Sequence, residues 1–309
     1  MVKVRSADLG SGTFSREANK KLMERLGYQY ELVPMTEHID IAESIPKDAD
    51  MGVIAYYNAI GGLVQENLDD IYENNLVILD LMRVPVEFRL VGLKGADAAA
   101  RAANGTIYSH PKALQQCRHY LRANYKGHKQ QSVASTAAGL NSLLQDPEGM
   151  ALVRPEAIEG KLEYEVIDEK VARARHGNKN FTDFFLVSDH NGIDYAPNKR
   201  YKTMVAITPH YDREGLLADI SNVIGHVYGI NNTCIHSRPA LDDITIECQQ
   251  AQMFYIEMQV NPKEERFRRC VDDLKFILPN RKDLETLRVL GSYFDPNIGW
   301  DIKTGYVGK

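Results

Sequence analysis

The chain has 309 residues, 44% of them hydrophobic and 26% charged, which is ordinary for a globular protein and long enough for about two domains. Thirty-seven Lys and Arg stand against 42 Asp and Glu, and the net charge of −5 argues against a general nucleic-acid binder, which needs a basic face. No apolar run approaches the ~18 residues of a membrane span, and Met1–Arg5 lacks the apolar stretch of a signal peptide. The four cysteines, Cys117, Cys234, Cys248 and Cys270, show no CxxC spacing, so a cytoplasmic protein with reduced thiols is expected.

In chain order, the pattern predicts a helix over 15–26, closed by Gly27 in the left-handed conformation, then a strand over 28–33. A strand over 51–57, a helix over 63–73 and a β-rich run over 76–93 follow. Next come a strand over 105–109, a helix over 111–125, a helix over 135–144 and a strand over 150–154. Such alternation favours an α/β fold with largely parallel sheets. A polar stretch over 189–200 separates a second region with a different order. It reads as strand 202–208, helix 214–228, strands 230–237 and 244–260, helix 263–278 and strand 286–291. That is βαββαβ, the ferredoxin-like order. The tail after Tyr293 holds Trp300 and shows no period.

Three places put hydroxyl residues at a helix start: Gly10-Ser11-Gly12-Thr13-Phe14-Ser15, Ser109-His110-Pro111 and Ser135-Thr136. Ser and Thr are ordinary N-caps. Helix N-termini also offer free N–H groups and partial positive charge, so the three are candidates for holding a small anion on an acidic protein. No Lys follows in the P-loop pattern. Gln116 lies seven residues after Ser109, two turns along one helical face, and either shares its pocket or is solvated. The nine histidines show no ligand spacing, so no metal is expected. Cys117 and His119 point to different helix faces, which favours a structural cysteine over a nucleophile.

With these motifs in place, the chain resembles the prephenate dehydratase family over almost its whole length. Leu9-Gly10-Ser11-Gly12-Thr13-Phe14-Ser15 is similar to the family's Leu-Gly-Pro-x-Gly-Thr-Phe-Ser, one residue shorter. Ser109-His110-Pro111-Lys112-Ala113-Leu114-Gln115-Gln116-Cys117 is similar to Ser-His-Pro-Gln-Ala-Leu-x-Gln-Cys, and Ser135-Thr136-Ala137-Ala138 to Ser-Thr-Ala. Gly215-Leu216-Leu217, Ser237-Arg238-Pro239 and Leu290-Gly291-Ser292-Tyr293 look like the family's ACT regulatory domain. The resemblance implies an α/β, two-lobed, periplasmic-binding-protein-like (type II) catalytic domain over 1–192, followed by a ferredoxin-like ACT domain over 200–295 and a tail over 296–309. The lobes would be about 1–93 plus 163–192, and 94–162. It further implies Thr13, Ser15, Ser109, Gln116, Ser135, Thr136 and Phe184 as substrate-binding residues. No cofactor or metal is implied. ACT domains pair side by side, which implies a homodimer or homotetramer.

The departures from the family pattern carry the functional expectation. The family's Glu-Asn-Ser reads Tyr57-Asn58-Ala59, and its Asn-x-Thr-Arg-Phe reads Asn180-Phe181-Thr182-Asp183-Phe184. Asn58 and Thr182 match; an acid has become Tyr57 and an arginine Asp183. Dehydration of prephenate expels the ring carboxylate and ring hydroxyl together, with Thr182 assisting the hydroxide. A sibling group removes only the carboxylate and protonates a ring carbon, and an aspartate would not oppose that departure as an arginine would. The sequence therefore favours non-aromatising prephenate decarboxylation, with Thr182, Asp183, Tyr57 and Asn58 catalytic and a natural-product pathway served. Dehydration to phenylpyruvate is the alternative, and a non-catalytic ligand sensor the second. Arg89, Arg154 and Lys112 are possible helpers at the pyruvyl end. An amino-acid effector would meet Gly215, Leu216, His236, Ser237 and Arg238, although His236 stands where the family has a glutamate, which makes phenylalanine feedback doubtful.

Overall fold

Thr13 and Gly27 bracket the first helix. The Thr13 hydroxyl accepts from Arg16 N–H, Glu17 complements the helix dipole, and Gly27 closes the last turn at φ 69°. The computed structural model describes residues 3–10, 13–169, 171–172, 180–197, 199–209, 213–239, 252–278 and 286–294. Ser11, Gly12 and the tail with Trp300 lie outside the described residues, as do 244–251 of the long predicted strand.

The elements run β1 (Lys3–Asp8), α1 (Phe14–Leu26), β2 (Gln29–Pro34), α2 (His38–Ser44), β3 (Met51–Asn58), β4 (Gly62–Leu63), α3 (Gln65–Glu73) and β5 (Val77–Pro85). Then come β6 (Arg89–Leu93), α4 (Ala98–Asn104), β7 (Ile107–Ser109), α5 (Pro111–Asn124), β8 (Gln130–Ser132), α6 (Thr136–Ser142), β9 (Met150–Val153) and β10 (Tyr164–Asp168). β11 (Phe181–Ser188), β12 (Tyr201–Ile207), α7 (Leu216–Asn222), β13 (Asn231–Pro239), β14 (Gln252–Gln259), α8 (Glu265–Ile277) and β15 (Leu287–Phe294) follow among the described residues.

The chain divides into two units. The first takes in 1–56, 64–83 and 183–309; the second takes in 57–63 and 84–182. The division passes through β3, β5 and β11, so these strands contribute residues to both. In the first unit the strands form one sheet in the order β13-β14-β12-β15-β5-β11-β3-β1-β2. β1 pairs parallel with β2 and β3. β12 lies antiparallel between β14 and β15, and β13 pairs antiparallel with β14. With α7 and α8, β12–β15 therefore make the predicted βαββαβ module, its core built from Val205, Ile207, Ile220, Ile224, Ile256, Phe267 and Leu274 among others.

A single bridge, Gly291 to Ile78, joins β15 of that module to β5. Gly291 holds φ 138°, and a Cβ there would lie 2.0 Å from the Ile78 carbonyl oxygen. Both features demand glycine. Gly291→Ala is expected to cost at least ~2 kcal/mol. The thermal midpoint should fall by roughly 4–8 °C; an unchanged midpoint would contradict this account of the bridge.

The second unit has a five-stranded sheet in the order β10-β6-β9-β7-β8. β7 pairs parallel with β8 and β9, while β6 pairs antiparallel with β9 and β10. Both sheets are thus mixed, not largely parallel. The run predicted as β over 76–93 is two strands. Pro85 has no N–H to continue the ladder, and after it Val86 N–H turns to the Asn180 carbonyl at 2.9 Å. The second unit reaches 84–93 and 163–182, beyond the lobe boundaries at 94 and 162, because β6 and β10 pair within its own sheet.

Candidate active site

Asn58 ends β3 where the chain turns into β4. Its side-chain oxygen accepts from Ile60 N–H at 3.0 Å and Gly61 N–H at 2.8 Å, an Asx-type arrangement that fixes the turn. Its amide nitrogen lies 3.0 Å from the Phe181 carbonyl, 3.0 Å from Thr182 Oγ1 and 3.2 Å from Asn180 Oδ1. Ala59 N–H adds a bond to the Phe181 carbonyl at 2.9 Å. The start of β11 is therefore clamped onto the end of β3.

This clamp sets the chemistry of Thr182. A hydroxyl has one proton and two acceptor sites. Thr182 is buried, and its oxygen is occupied by the Asn58 amide, so its proton is directed away from Asn58 and left for another acceptor. Beside it, the Tyr57 ring packs on Phe181 at 6.1 Å between centroids. Asn180 is a site residue the sequence reading did not single out. It is 2% exposed, and its side-chain nitrogen has no hydrogen-bond partner. Its signal was its place as first residue of Asn180-Phe181-Thr182, two positions before the matched threonine.

In the first unit, Asp183 is not a bare anion. Both its oxygens are gripped by Arg83 of β5, Nε to Oδ1 at 2.7 Å and Nη2 to Oδ2 at 2.8 Å. Burial pushes the Asp183 carboxyl up from 3.8, against the downward pull of Arg83 and Lys202. Consecutive strand residues point to opposite faces, so Asp183 turns away from the side that Thr182 occupies. The family's cation has become an anion, but a compensating cation stands on the neighbouring strand. The expectation that this reversal governs the ring carboxylate loses its basis.

The loop after β1 is held by a buried carboxylate. Asp8 accepts from Gly10 N–H and Arg16 Nε at 2.7 Å and from Asn19 at 2.8 Å. Thr13 donates to the Gly10 carbonyl at 2.8 Å and caps α1 through Arg16 N–H. Ser15, buried, accepts from Leu9 N–H and donates to the Val53 carbonyl, both at 3.3 Å. These hydroxyls shape the loop and cap α1.

In the second unit, Ser109 ends β7, and its buried hydroxyl donates to the Leu152 carbonyl at 2.6 Å. The cap of α5 is His110, whose Nδ1 accepts from Lys112 N–H at 3.2 Å. The expected shared helical face of Ser109 and Gln116 is thus absent, because Ser109 belongs to a strand and the helix begins two residues later; Gln116 is half-buried on α5. Ser135 caps α6 through Ala138 N–H at 3.0 Å, and Thr136 is the first residue of that helix, its side chain outside the described part. Phe184 is buried in β11. Arg154 pairs with Glu156, Arg89 is half-buried on β6, and Lys112 is exposed. Burial pushes the Cys117 thiol up to about 12, which makes it an inert core residue. Among the described residues no cluster of His, Cys, Asp and Glu is arranged to hold a metal, and no helix is long and apolar enough to cross a membrane.

At the C-terminal module, Gly215 takes φ 80° at the start of α7, with Leu216 buried behind it. On β13, His236 and Arg238 are half-buried and Ser237 is exposed. Arg238 is ion-paired to Asp69 of α3, which also accepts from Tyr255 OH at 2.9 Å.

The prephenate dehydratase family model matches residues 9–192, more than half of the chain, including every residue of the Asn58–Thr182 clamp. The chain belongs to the prephenate dehydratase family. Among relatives, the bifunctional chorismate mutase/prephenate dehydratase of Aquifex aeolicus is 27% identical over 293 residues, covering 94% of this chain and 74% of the relative. The prephenate dehydratase of Methanocaldococcus jannaschii is 24% identical over 258 residues, covering 83% and 88%. The solved structure of prephenate dehydratase from Arthrobacter aurescens in complex with L-Phe superposes with a TM-score of 0.72 at 24% identity, covering 95% of this chain and 90% of that one. This likeness bears out the α/β, two-lobed, periplasmic-binding-protein-like fold of the family. Within the matched range, Asn58 and Thr182 are joined by a hydrogen bond at 3.0 Å.

Proposed function

We propose that this chain is a lyase that acts on prephenate and dehydrates it, with decarboxylation, to phenylpyruvate. The observation that carries the proposal is the Thr182 hydroxyl, fixed by Asn58 at 3.0 Å with its proton unspent on that partner. Breaking the bond to the ring carboxylate releases CO2 and sends its electron pair into the ring. The ring carbon–oxygen bond then breaks, and the departing hydroxide takes up a proton from solvent to become water. Thr182 donates a hydrogen bond to that oxygen as it gathers charge, which eases a poor leaving group. Holding the donor in place before the reaction avoids the cost of orienting it. Family membership and the named activities of the relatives support dehydration over decarboxylation.

A second reading, non-aromatising decarboxylation with the hydroxyl retained, is favoured by Tyr57 and Ala59, where the family has Glu and Ser. Packed on Phe181, Tyr57 makes the surroundings of Thr182 more aromatic and less acidic. For the C-terminal module we propose an ACT domain with an amino-acid effector near Gly215, Leu216, His236, Ser237 and Arg238. The L-Phe complex of the Arthrobacter relative supports that assignment. Such a module would pair the chain into a dimer or tetramer.

Proton NMR of prephenate incubated with the protein tests the main reading. Aromatic ring protons of phenylpyruvate are expected. Non-aromatic ring protons in a decarboxylated product would transfer the assignment to the second reading, and unchanged prephenate would sink both.

A further inference from the structure

The first unit holds a buried carboxylate that the reaction itself does not use. Glu257 of β14 is 4% exposed and collects four donors. Its Oε1 accepts from Lys202 Nζ at 2.6 Å and from Thr233 Oγ1; its Oε2 accepts from Tyr56 OH at 3.2 Å and from Tyr293 OH. A carboxylate buried this deeply is tolerated because a cation and three hydroxyls take up its lone pairs. Three of the four donors come from β12, β13 and β15, neighbours in the same module. Tyr56 alone comes from β3, two residues before Asn58.

Tyr56 also reaches β11. Its ring stacks on Phe185 at 4.2 Å and 23°, and Phe185 packs against Tyr293 at 4.9 Å. Phe185 is three residues after Thr182. Only two residues of β3 and three of β11 separate the anchor from the clamp along the chain. Burial and the neighbouring Glu257 charge push the Tyr56 hydroxyl well above 10, so it stays a donor throughout the neutral range.

We propose that Glu257 is a positioning residue: through the Tyr56 hydroxyl it fixes the end of β3, and so the Asn58 amide that orients Thr182. The catalytic consequence rests on the dehydratase reading; the mechanical one does not. The C-terminal module thereby sets the geometry of the clamp through one hydrogen bond.

Two single-hydroxyl deletions test this. Tyr56→Phe removes the bond to β3 and keeps the stacked ring; Thr233→Val removes a donor to the same carboxylate from within the module. Tyr56→Phe is expected to lower kcat on the order of tenfold, with KM changed less than about twofold. Thr233→Val is expected to leave kcat at the wild-type value. Amide hydrogen exchange at Ile60 and Gly61, whose N–H groups bond to Asn58, should quicken by about tenfold in Tyr56→Phe and not in Thr233→Val. Exchange equal in both variants would overturn the proposal whether or not the protein turns over prephenate. With turnover present, a wild-type kcat in Tyr56→Phe would overturn it as well. Absence of turnover in the wild type strikes the functional reading alone.

Discussion

Replacing Thr182 by valine should lower kcat for prephenate by about 10²- to 10³-fold while leaving KM close to its wild-type value. That corresponds to about 2.7–4 kcal/mol of the barrier. The hydroxyl is required where charge gathers on the departing oxygen, so its loss falls on the transition state and not on ground-state binding. The fold should hardly notice. Without Thr182 Oγ1, the Asn58 amide retains the Phe181 carbonyl at 3.0 Å and Asn180 Oδ1 at 3.2 Å, so the stability loss should stay under about 1.5 kcal/mol. Thr182→Ser, which keeps the hydroxyl, should recover most of the rate. A valine variant within tenfold of wild type would remove Thr182 from the mechanism.

The second large effect concerns Arg83. Arg83→Ala strands the Asp183 carboxylate, whose side chain is 6% exposed, beside a cut-off partner. Breaking a buried pair costs about 3–5 kcal/mol. The Arg83 side chain is 28% exposed, and screening from that side brings the expectation down to about 2–3 kcal/mol. The pH dependence follows from the direction of the shift. Asp183 already has its native value raised above 3.8 by burial, so the folded state binds its proton more tightly than the unfolded chain does. Removing Arg83 raises that value further. The added destabilisation should be complete above the variant's raised value and shrink as pH falls from there toward 3.8. Denaturant melts at neutral and mildly acid pH check this; a penalty that grows on acidification would contradict it. The exchanged pair Arg83→Asp with Asp183→Arg, which restores the family's residue on β11, should recover most of the stability. Failure to do so would mean the pair is not a simple compensation.

The Arg83–Asp183 pair also shows where a single sequence stops informing. Asp183 read as a charge reversal because its partner lies 100 residues earlier on another strand. Arg83 offered a signal of its own, a lone cation in the apolar run of β5, which needs a partner if buried. β11 itself escaped notice. A strand covered on both faces shows no alternation, and Thr182 and Asp183 interrupt its apolar run, so periodicity has nothing to grip. Elements with their own local signals were plain: α1 through Thr13 and Gly27, α5 through Pro111, and the βαββαβ order through clean amphipathic helices. Asn58 and Thr182 were legible because they sit in motifs. Glu257 was not, since a buried polar group outside any motif declares itself only through the neighbours that satisfy it or fail to.

The fate of the ring oxygen tests the central claim most directly. Prephenate labelled with 18O at the ring hydroxyl, incubated with the protein, should yield unlabelled phenylpyruvate and labelled water, one of each per CO2 released. A decarboxylated keto acid that keeps the label on its ring would contradict dehydration by the Thr182 hydroxyl.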